Sequence, residues 1–418
     1  MQTPQLADLR AICSQPYGFW LDSALVDARQ GRRSFWGEEP SLVLRSWGRD
    51  VEVQRCRGGT LRFEGDPFEA LRELLAERRG QTGAAVGYLG YELKRHIEAL
   101  PQTAVDDLGL PECYLAFYDR IDAFDPRPLA PAPAAAAPTP SYAGLRSSFS
   151  RGDYESALER ALAYIRAGDI YQVNLTQRFQ APCAGDPFDV YRLLRAQSPA
   201  PFAAYLSGPD FAVLSSSPEL FLRYEPGTRL IETRPIKGTR PRGADGKSDA
   251  ALARELLASE KERAENLMIV DLERNDLGKV AAIGSVTVPG LFEVETYASV
   301  HHLTSTVQAR LRQDRDVVDL LRATFPGGSI TGAPKIRAME IADELEPVAR
   351  GVYTGAIGYI GFDGEMQLNI AIRTMVIKDG VAYFGVGGGI VADSQPVPEY
   401  EETLHKGAAL ARVLLAEG

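Results

Sequence analysis

Cysteine is scarce. The 418 residues include four, Cys13, Cys56, Cys113 and Cys183, and none form a C-x-x-C pair. That argues against a disulfide framework and fits free thiols in a reducing compartment. No window approaches the roughly 18 consecutive apolar residues of a membrane span. The opening MQTPQLADLR lacks the charged-then-apolar order of a secretory leader. These absences predict a cytoplasmic protein with no membrane partner. Positive charge is also short: 46 Lys and Arg against 56 Asp and Glu leave a net charge of −10. Such a balance argues against nucleic acid as a partner. It leaves room for a small anionic substrate in a local basic pocket.

What is present is ordinary for a globular chain: 45% hydrophobic and 24% charged residues. The length suits two or three domains, or one large intertwined unit. A core of that size needs no disulfide or zinc staple. The stretch Asp125 to Pro140, DPRPLAPAPAAAAPTP, cannot fill a packed core and reads as a linker or exposed loop. It divides the chain into an N-terminal part (1–125), a linker (126–145) and a larger part (146–418).

Periodicity predicts a helix capped by Asp153, with Tyr154, Leu158, Leu162 and Ile165 on one face and Gly168 at its end. A strand follows at 170–180, with Tyr171, Val173 and Leu175 opposite Gln172, Asn174 and Thr176. One long helix is expected over 248–275, strands near 283–289 and 299–311, and helices near 316–324 and 334–345. Asp363-Gly364 and Asp379-Gly380 lie between β-rich runs at 352–362, 365–378 and 381–386, which predicts an antiparallel meander. A last helix runs from about Pro398. Strands and helices cluster rather than alternate, so the fold class is α+β.

Two glycine-rich stretches fail as nucleotide loops. Gly385 to Ile390 has Ile where G-x-G-x-x-G needs its third Gly, and Gly327 to Gly332 is followed by Ala333-Pro334 instead of Lys-Ser/Thr. His301 and His302 are neighbours on a strand and point to opposite faces, so they cannot share one metal.

Three groups of residues carry chemistry. Glu262 and Glu265 are three apart on one helix; Glu399, Glu402 and Lys406 share a face of the last one. Stacked carboxylates repel and want a cation, and an all-oxygen set suits Mg²⁺. In isolation such a pair is usually a solvated acidic face. Arg373 lies on a predicted strand beside Gln367 and Asn369, where its fork suits a carboxylate, with Tyr353 on a neighbouring run. Lys237 sits among Arg234, Arg240 and Arg242 in a stiff Pro/Gly-bounded element. Positive neighbours and burial depress an amine's pKa, which makes Lys237 a candidate nucleophile; taken in isolation such a segment is more often a basic surface loop. Glu219, in Ser215-Ser216-Ser217-Pro218-Glu219, is a candidate general acid.

Together these segments resemble the chorismate-utilising enzymes, the family that includes anthranilate synthase component I. The resemblance rests on ordered motifs over most of 150–415: YQVNLTQRF (171–179), SSSPELF (215–221), RPIKGTRPRG (234–243), EKERAENLMIVDLERNDLG (260–278), VHHLTS (300–305), GGSITGAPKIRAMEIAD (327–343), GAIGY (355–359), NIAIRT (369–374), GVGGGIVADS (385–394) and PEYEETLHKG (398–407). It implies a large two-sheet antiparallel sandwich ringed by helices, to which 1–125 contributes strands. It implies Mg²⁺ on Glu265 and Glu402, with Glu262 and Glu399 completing the cage. Lys406 and the Gly328–Ser329 backbone would help hold the ring carboxylate of chorismate. Arg373, Tyr353 and the backbone at Gly388 and Gly389 would clamp the enolpyruvyl carboxylate. His302 matches the active-site His. Ser329 stands where relatives often have Thr, with the hydroxyl kept.

Within this resemblance, Lys237 in PIKGT is similar to the segment typical of the branch that aminates chorismate at C4, whereas other branches typically carry Ala there. The implied product is 4-amino-4-deoxychorismate, for 4-aminobenzoate and folate synthesis, with Glu219 protonating the departing hydroxyl. Gln172 replaces the Lys base of water-adding relatives. The ammonia would come from a partner glutamine amidotransferase, since no such segment is recognisable here. The alternative is the anthranilate-forming branch. Leu21-Asp22-Ser23 and Ser198-Pro199-Ala200-Pro201-Phe202 resemble segments that line a tryptophan pocket in relatives, which nominates Ser23, Pro199 and Phe202; Ser198 departs from the usual Asn.

Overall fold

The computed structural model describes residues 4–415 except 26–29, 32, 127–141, 143 and 298–299. The linker expected at 126–145 thus falls largely outside the described residues. Short, almost wholly apolar runs make the central strands. Ala84–Leu89 and Cys113–Tyr118 are buried at every position, as continuous apolar runs bounded by turns should be. Among the described residues the strands form two antiparallel sheets, one of 10 strands and one of 12.

The first sheet runs from Gly332–Ala333 through Gln172–Pro182, Val381–Ile390, Thr374–Lys378, Phe211–Ser217 and Phe202–Ser207 to Phe19–Asp22, Ser34–Gly37 and Asp122–Phe124. The second runs from Ile236–Pro241 through Val300–Arg310, Leu230–Arg234, Leu220–Glu225, Met366–Ile370 and Ala356–Gly361 to Ala84–Leu89, Cys113–Tyr118, Leu42–Trp47, Asp50–Arg55 and Thr60–Glu64. The N-terminal 125 residues therefore supply strands to both sheets. Between the sheets, Phe19, Leu206, Phe211 and Val213 meet Val43, Val86, Tyr114 and Ile357. Tyr114 and Phe211 pack edge-to-face with ring centroids 5.3 Å apart. Helices Pro187–Gln197 and Pro396–Leu415 cover the outside of the first sheet, and Pro67–Glu77, Glu260–Gly278 and Val317–Thr324 the outside of the second. Among the described residues no helix is long and apolar enough to cross a membrane.

Four local expectations need correction. The helix Arg151–Ala167 is capped by Ser150, whose hydroxyl accepts from the Asp153 N–H at 3.1 Å; Gly168 ends it with φ 84°. The long helix is two, Gly246–Ala258 and Glu260–Gly278, broken at Ser259. Ser259 has ψ 110° and caps the second helix through the Glu262 N–H at 3.4 Å, so a good N-cap outcompeted helix continuation. Tyr353 lies in a turn before the strand Ala356–Gly361.

The meander is also interrupted. Run 365–378 is two strands, Met366–Ile370 in the second sheet and Thr374–Lys378 in the first, joined by 371–373. Arg373 therefore sits on a crossover, with φ 50°. A left-handed backbone costs a non-glycine residue about 1–2 kcal/mol. The chain makes the same switch between Ser217 and Leu220, which brackets Glu219. The two crossovers are tied together. Ser216 N–H donates to the Arg373 carbonyl at 3.0 Å, Ser217 Oγ to the Ile370 carbonyl at 2.6 Å, and Ile370 N–H to the Glu219 carbonyl at 3.0 Å.

Candidate active site

The crossovers place Glu219 and Arg373 near strand Ile236–Pro241, which carries Lys237. Gly238, with φ 83°, lets that strand bend past the helix Glu260–Gly278. A Cβ there would lie 2.8 Å from Glu262 Oε2 and 2.9 Å from Leu256 Cδ1, so glycine is required for close approach. Lys237 Nζ points to the Ser329 carbonyl at 3.4 Å. Burial holds its pKa below the ordinary lysine value; Glu265 opposes that shift and Lys406 adds to it.

Glu219 is 4% exposed. Its Oε1 accepts weakly from the Ile236 N–H at 3.4 Å. Burial pushes its pKa above the ordinary carboxylate value, while a hydrogen bond from Ser329 and the charges of Lys237 and Arg373 restrain the rise. Gln172 opens the strand Gln172–Pro182 and is fully buried, yet among the described residues neither polar atom of its amide has a hydrogen-bond partner. A Cβ on Gly389 would lie 3.0 Å from Gln172 Nε2 and 3.4 Å from Lys237 Nζ. Gly389 thus keeps the wall open where the two side chains converge, and the unpaired amide is available to a ligand.

His302 is buried on Val300–Arg310. Its Nδ1 meets Thr239 Oγ1 at 2.8 Å, and it also hydrogen-bonds the Gly238 backbone. Burial, with the positive charge of Arg373, lowers its pKa to about 3, so the ring is neutral at pH 7. His301 faces away: Nδ1 meets Thr296 Oγ1 and Nε2 meets Asp249 Oδ1, each at 2.9 Å.

The carboxylates gather on two helices facing this cluster. Burial raises the pKa of Glu265, and repulsion from Glu262 and Glu399 adds to it. Burial likewise raises that of Glu399; its Oε1 accepts from Ser394 Oγ at 2.6 Å, and Glu402 repels it. Burial acts the same way on Glu402, but Lys406 at 2.7 Å outweighs it and leaves the pKa low. Lys406 also donates to the Gly387 carbonyl at 3.1 Å. Glu262 is drawn to Arg240 at 3.3 Å. A Cβ on Gly388 would lie 3.4 Å from Glu399 Oε2 and 4.0 Å from Glu402 Oε1, so glycine leaves a gap beside these oxygens. Among the described residues no three His, Cys, Asp or Glu side chains converge as a ready ligand set. The mutually repelling oxygen donors still fit Mg²⁺, which typically takes one or two carboxylates and keeps several waters.

Three placements differ in detail from the sequence reading. The Gly328 N–H already donates to Glu273 Oε1 at 3.0 Å, so that amide is committed to the protein. Tyr353 lies against Gly385, where a Cβ would come within 2.2 Å of its ring. Ser23 and Phe202 line a cavity of only about 30 Å³ between the sheets, with Pro201, not Pro199, beside them. Ser23 Oγ already donates to the Arg33 carbonyl at 2.7 Å. A larger cleft of about 740 Å³ adjoins this cavity, sharing Arg33 and Tyr359 with it and lined further by Arg223 and Arg234; its lining includes none of the residues proposed for chemistry.

Sequence reasoning missed Glu273 and the buried pair Glu346–Arg350. The i,i+4 acid-then-base spacing of the latter is visible, but it ordinarily marks a surface pair.

Comparison with known proteins agrees with this architecture. Residues 22–412 match the family model described as chorismate binding enzyme. Aminodeoxychorismate synthase component 1 of Klebsiella aerogenes is 43% identical, with 94% of this chain and 93% of that protein covered. Anthranilate synthase component 1 of Acetivibrio thermocellus is 38% identical, with 96% and 90% covered. The crystal structure of anthranilate synthase component I from Streptococcus pneumoniae TIGR4 superposes with a TM-score of 0.79 at 32% identity, over 93% of this chain and 94% of that one. Relatives of both names align along nearly the whole chain, so similarity alone does not choose between their reactions. With the two-sheet architecture and the match over 22–412, the chain belongs to the chorismate binding enzyme family.

Proposed function

We propose that this chain aminates chorismate at C4 to give 4-amino-4-deoxychorismate, as aminodeoxychorismate synthase component 1. The observation that carries the reading is Lys237: an amine with depressed pKa, set between Ser329, Gln172 and the buried acid Glu219. A neutral amine is a nucleophile; an ammonium is not.

In this reading Lys237 Nζ attacks ring C2, the double bonds shift, and the C4–O bond breaks. Protonated Glu219 gives its proton to the departing hydroxyl, which leaves as water. Ammonia then forms the C4–N bond, the double bonds shift back, and Lys237 leaves C2 as the amine. Glu219 recovers a proton from the new ammonium group, so the net change is chorismate plus ammonia to product plus water. Arg373 and Tyr353 hold the enolpyruvyl carboxylate. His302, neutral and anchored on Gly238 and Thr239, orients the Lys237 strand from behind. Gln172 offers its unpaired amide to the incoming ammonia.

We further propose Mg²⁺ as the cofactor, on Glu265 and Glu402 with Glu399 and Glu262 behind them. When bound, it supplies a positive anchor for the ring carboxylate. Ammonia is proposed to come from a partner glutamine amidotransferase.

The test is product identity. The purified chain is incubated with chorismate, Mg²⁺ and excess ammonium, with and without aminodeoxychorismate lyase. 4-Aminobenzoate formed only with the lyase supports the reading. Fluorescent anthranilate formed without it sinks the reading and assigns the chain to the anthranilate branch.

A further inference from the structure

Behind the site lies a guanidinium that none of this chemistry uses. Arg350 is 7% exposed and grips Glu346 with two bonds, Nε to Oε2 at 2.8 Å and NH2 to Oε1 at 2.7 Å. Its other donors reach the Ile330 carbonyl at 3.0 Å, the Asn174 carbonyl at 2.7 Å and Thr354 Oγ1 at 3.4 Å. These acceptors belong to three separate walls. Ile330 follows Ser329 in the tight turn Gly328–Ile330. Asn174 is two residues beyond Gln172 on the same strand. Thr354 follows Tyr353 and holds a left-handed φ of 62°.

The assembly is braced from its other sides. Glu346 Oε1 accepts from the Thr176 N–H at 2.9 Å. Glu92 takes the backbone N–H groups of Arg350 and Gly351, each at 3.0 Å, and the guanidinium lies 4.4 Å above the Tyr91 ring.

Stability alone does not explain this pair. Two buried charges are costly to desolvate, and a well-packed apolar pair of similar volume is often as stable or more so. An apolar pair cannot fix three acceptors from three segments at set angles; a planar five-donor fork can.

We propose that Arg350 is a positioning residue that sets the mutual placement of Gln172, Ser329 and Tyr353, and so the pose of chorismate against the reacting groups. The proposal rests on the site reading given under Proposed function.

Three variants test it. Arg350→Lys keeps the charge and loses the fork. Arg350→Ala opens space for free guanidinium. The paired Glu346→Gln, Arg350→Met variant removes both charges, so no lone buried carboxylate is left to unfold the chain. Each is measured for thermal midpoint, kcat and KM on chorismate, and Arg350→Ala also with added guanidinium ion.

The expected result is a folded paired variant, and a folded Arg350→Lys, whose kcat/KM falls on the order of 100-fold, the scale of a misplacement of about 1 Å. Guanidinium should restore part of the loss in Arg350→Ala and nothing in wild type. Wild-type kcat and KM in the folded paired variant would overturn the proposal. The variants are assayed on whichever chorismate product the wild type forms. Anthranilate from wild type would therefore defeat the amination reading while leaving the Arg350 result readable.

Discussion

In the proposed reaction Lys237 and Glu219 would work as a pair, because the same burial moves them in opposite directions: it disfavours the ammonium of one and the carboxylate of the other. Glu219→Gln keeps the shape and removes the proton. It should lower kcat by about 10²- to 10⁴-fold, the usual contribution of a general acid, with an unchanged thermal midpoint. Steady-state kinetics beside a melting curve check this. Glu402→Gln should abolish Mg²⁺-dependent turnover in a folded protein; full activity over a Mg²⁺ titration would remove Glu402 from the metal site.

Glu273, which accepts from the Gly328 N–H at the edge of the proposed site, carries a pH prediction. Burial raises its pKa from 4.5 to about 7, against the pull of Lys335. The folded value lies above the unfolded one, so the fold favours the protonated acid. That stabilisation is complete below the unfolded value and is lost as pH rises through about 7. At 1.36 kcal/mol per pKa unit it amounts to about 3 kcal/mol at most. Glu273→Gln should therefore flatten the decline in melting temperature between about pH 5 and pH 8. Parallel declines in wild type and variant would show that the carboxyl does not titrate there.

At the level of elements, the site is built where strands end or change sheets. Glu219 and Arg373 occupy the two crossovers, Tyr353 a turn, and Gly328–Ile330 a single tight turn. Loops positioned by a rigid scaffold commonly carry function, since the sheets hold them while leaving side chains unpaired. The strand Val381–Ile390 contributes by what it lacks. Its glycines at 385, 388 and 389 leave room for the Tyr353 ring, the carboxylate gap and Gln172 in turn. Gly385→Ala should push Tyr353 aside. We expect a KM for chorismate raised about 10-fold or more with the fold intact, since a shifted clamp weakens binding before it weakens the sheet. An unchanged KM would mean that Tyr353 does not touch the substrate.

At the scale of the whole molecule, the two parts of the chain are one body. Segments before residue 126 complete both sheets, and Tyr91 and Glu92 reach the Arg350 assembly behind the site. A protease site engineered into 131–136 should yield, after cleavage, two fragments that co-elute on size exclusion under native conditions and retain activity. Separation without denaturant would show the halves to be independent.

Composition and periodicity alone were enough for the α+β class, the helices at 151–167, 317–324, 335–345 and the last one, and the acidic pairs Glu262/Glu265 and Glu399/Glu402, because these depend on spacing along the chain; the helices Leu6–Cys13, Pro67–Glu77 and Pro187–Gln197 went unread. Lys237 stood out by its local charge and its motif. The single strand read across 365–378 is instructive. Its alternation of Leu368, Ile370 and Ile372 is real, but both sheets bury apolar residues, so the pattern carries no mark of where the chain leaves one for the other. Nor did spacing separate Glu346–Arg350 from a solvent-exposed pair. Burial is a property of what packs around a residue, and here that comes from segments more than 170 positions away. The sequence by itself determined which groups can react and the periods of the elements that carry them. Only the tertiary structure decided which of those groups meet. It also set the direction in which their pKa values move, because desolvation and Coulomb partners are set by neighbours in space.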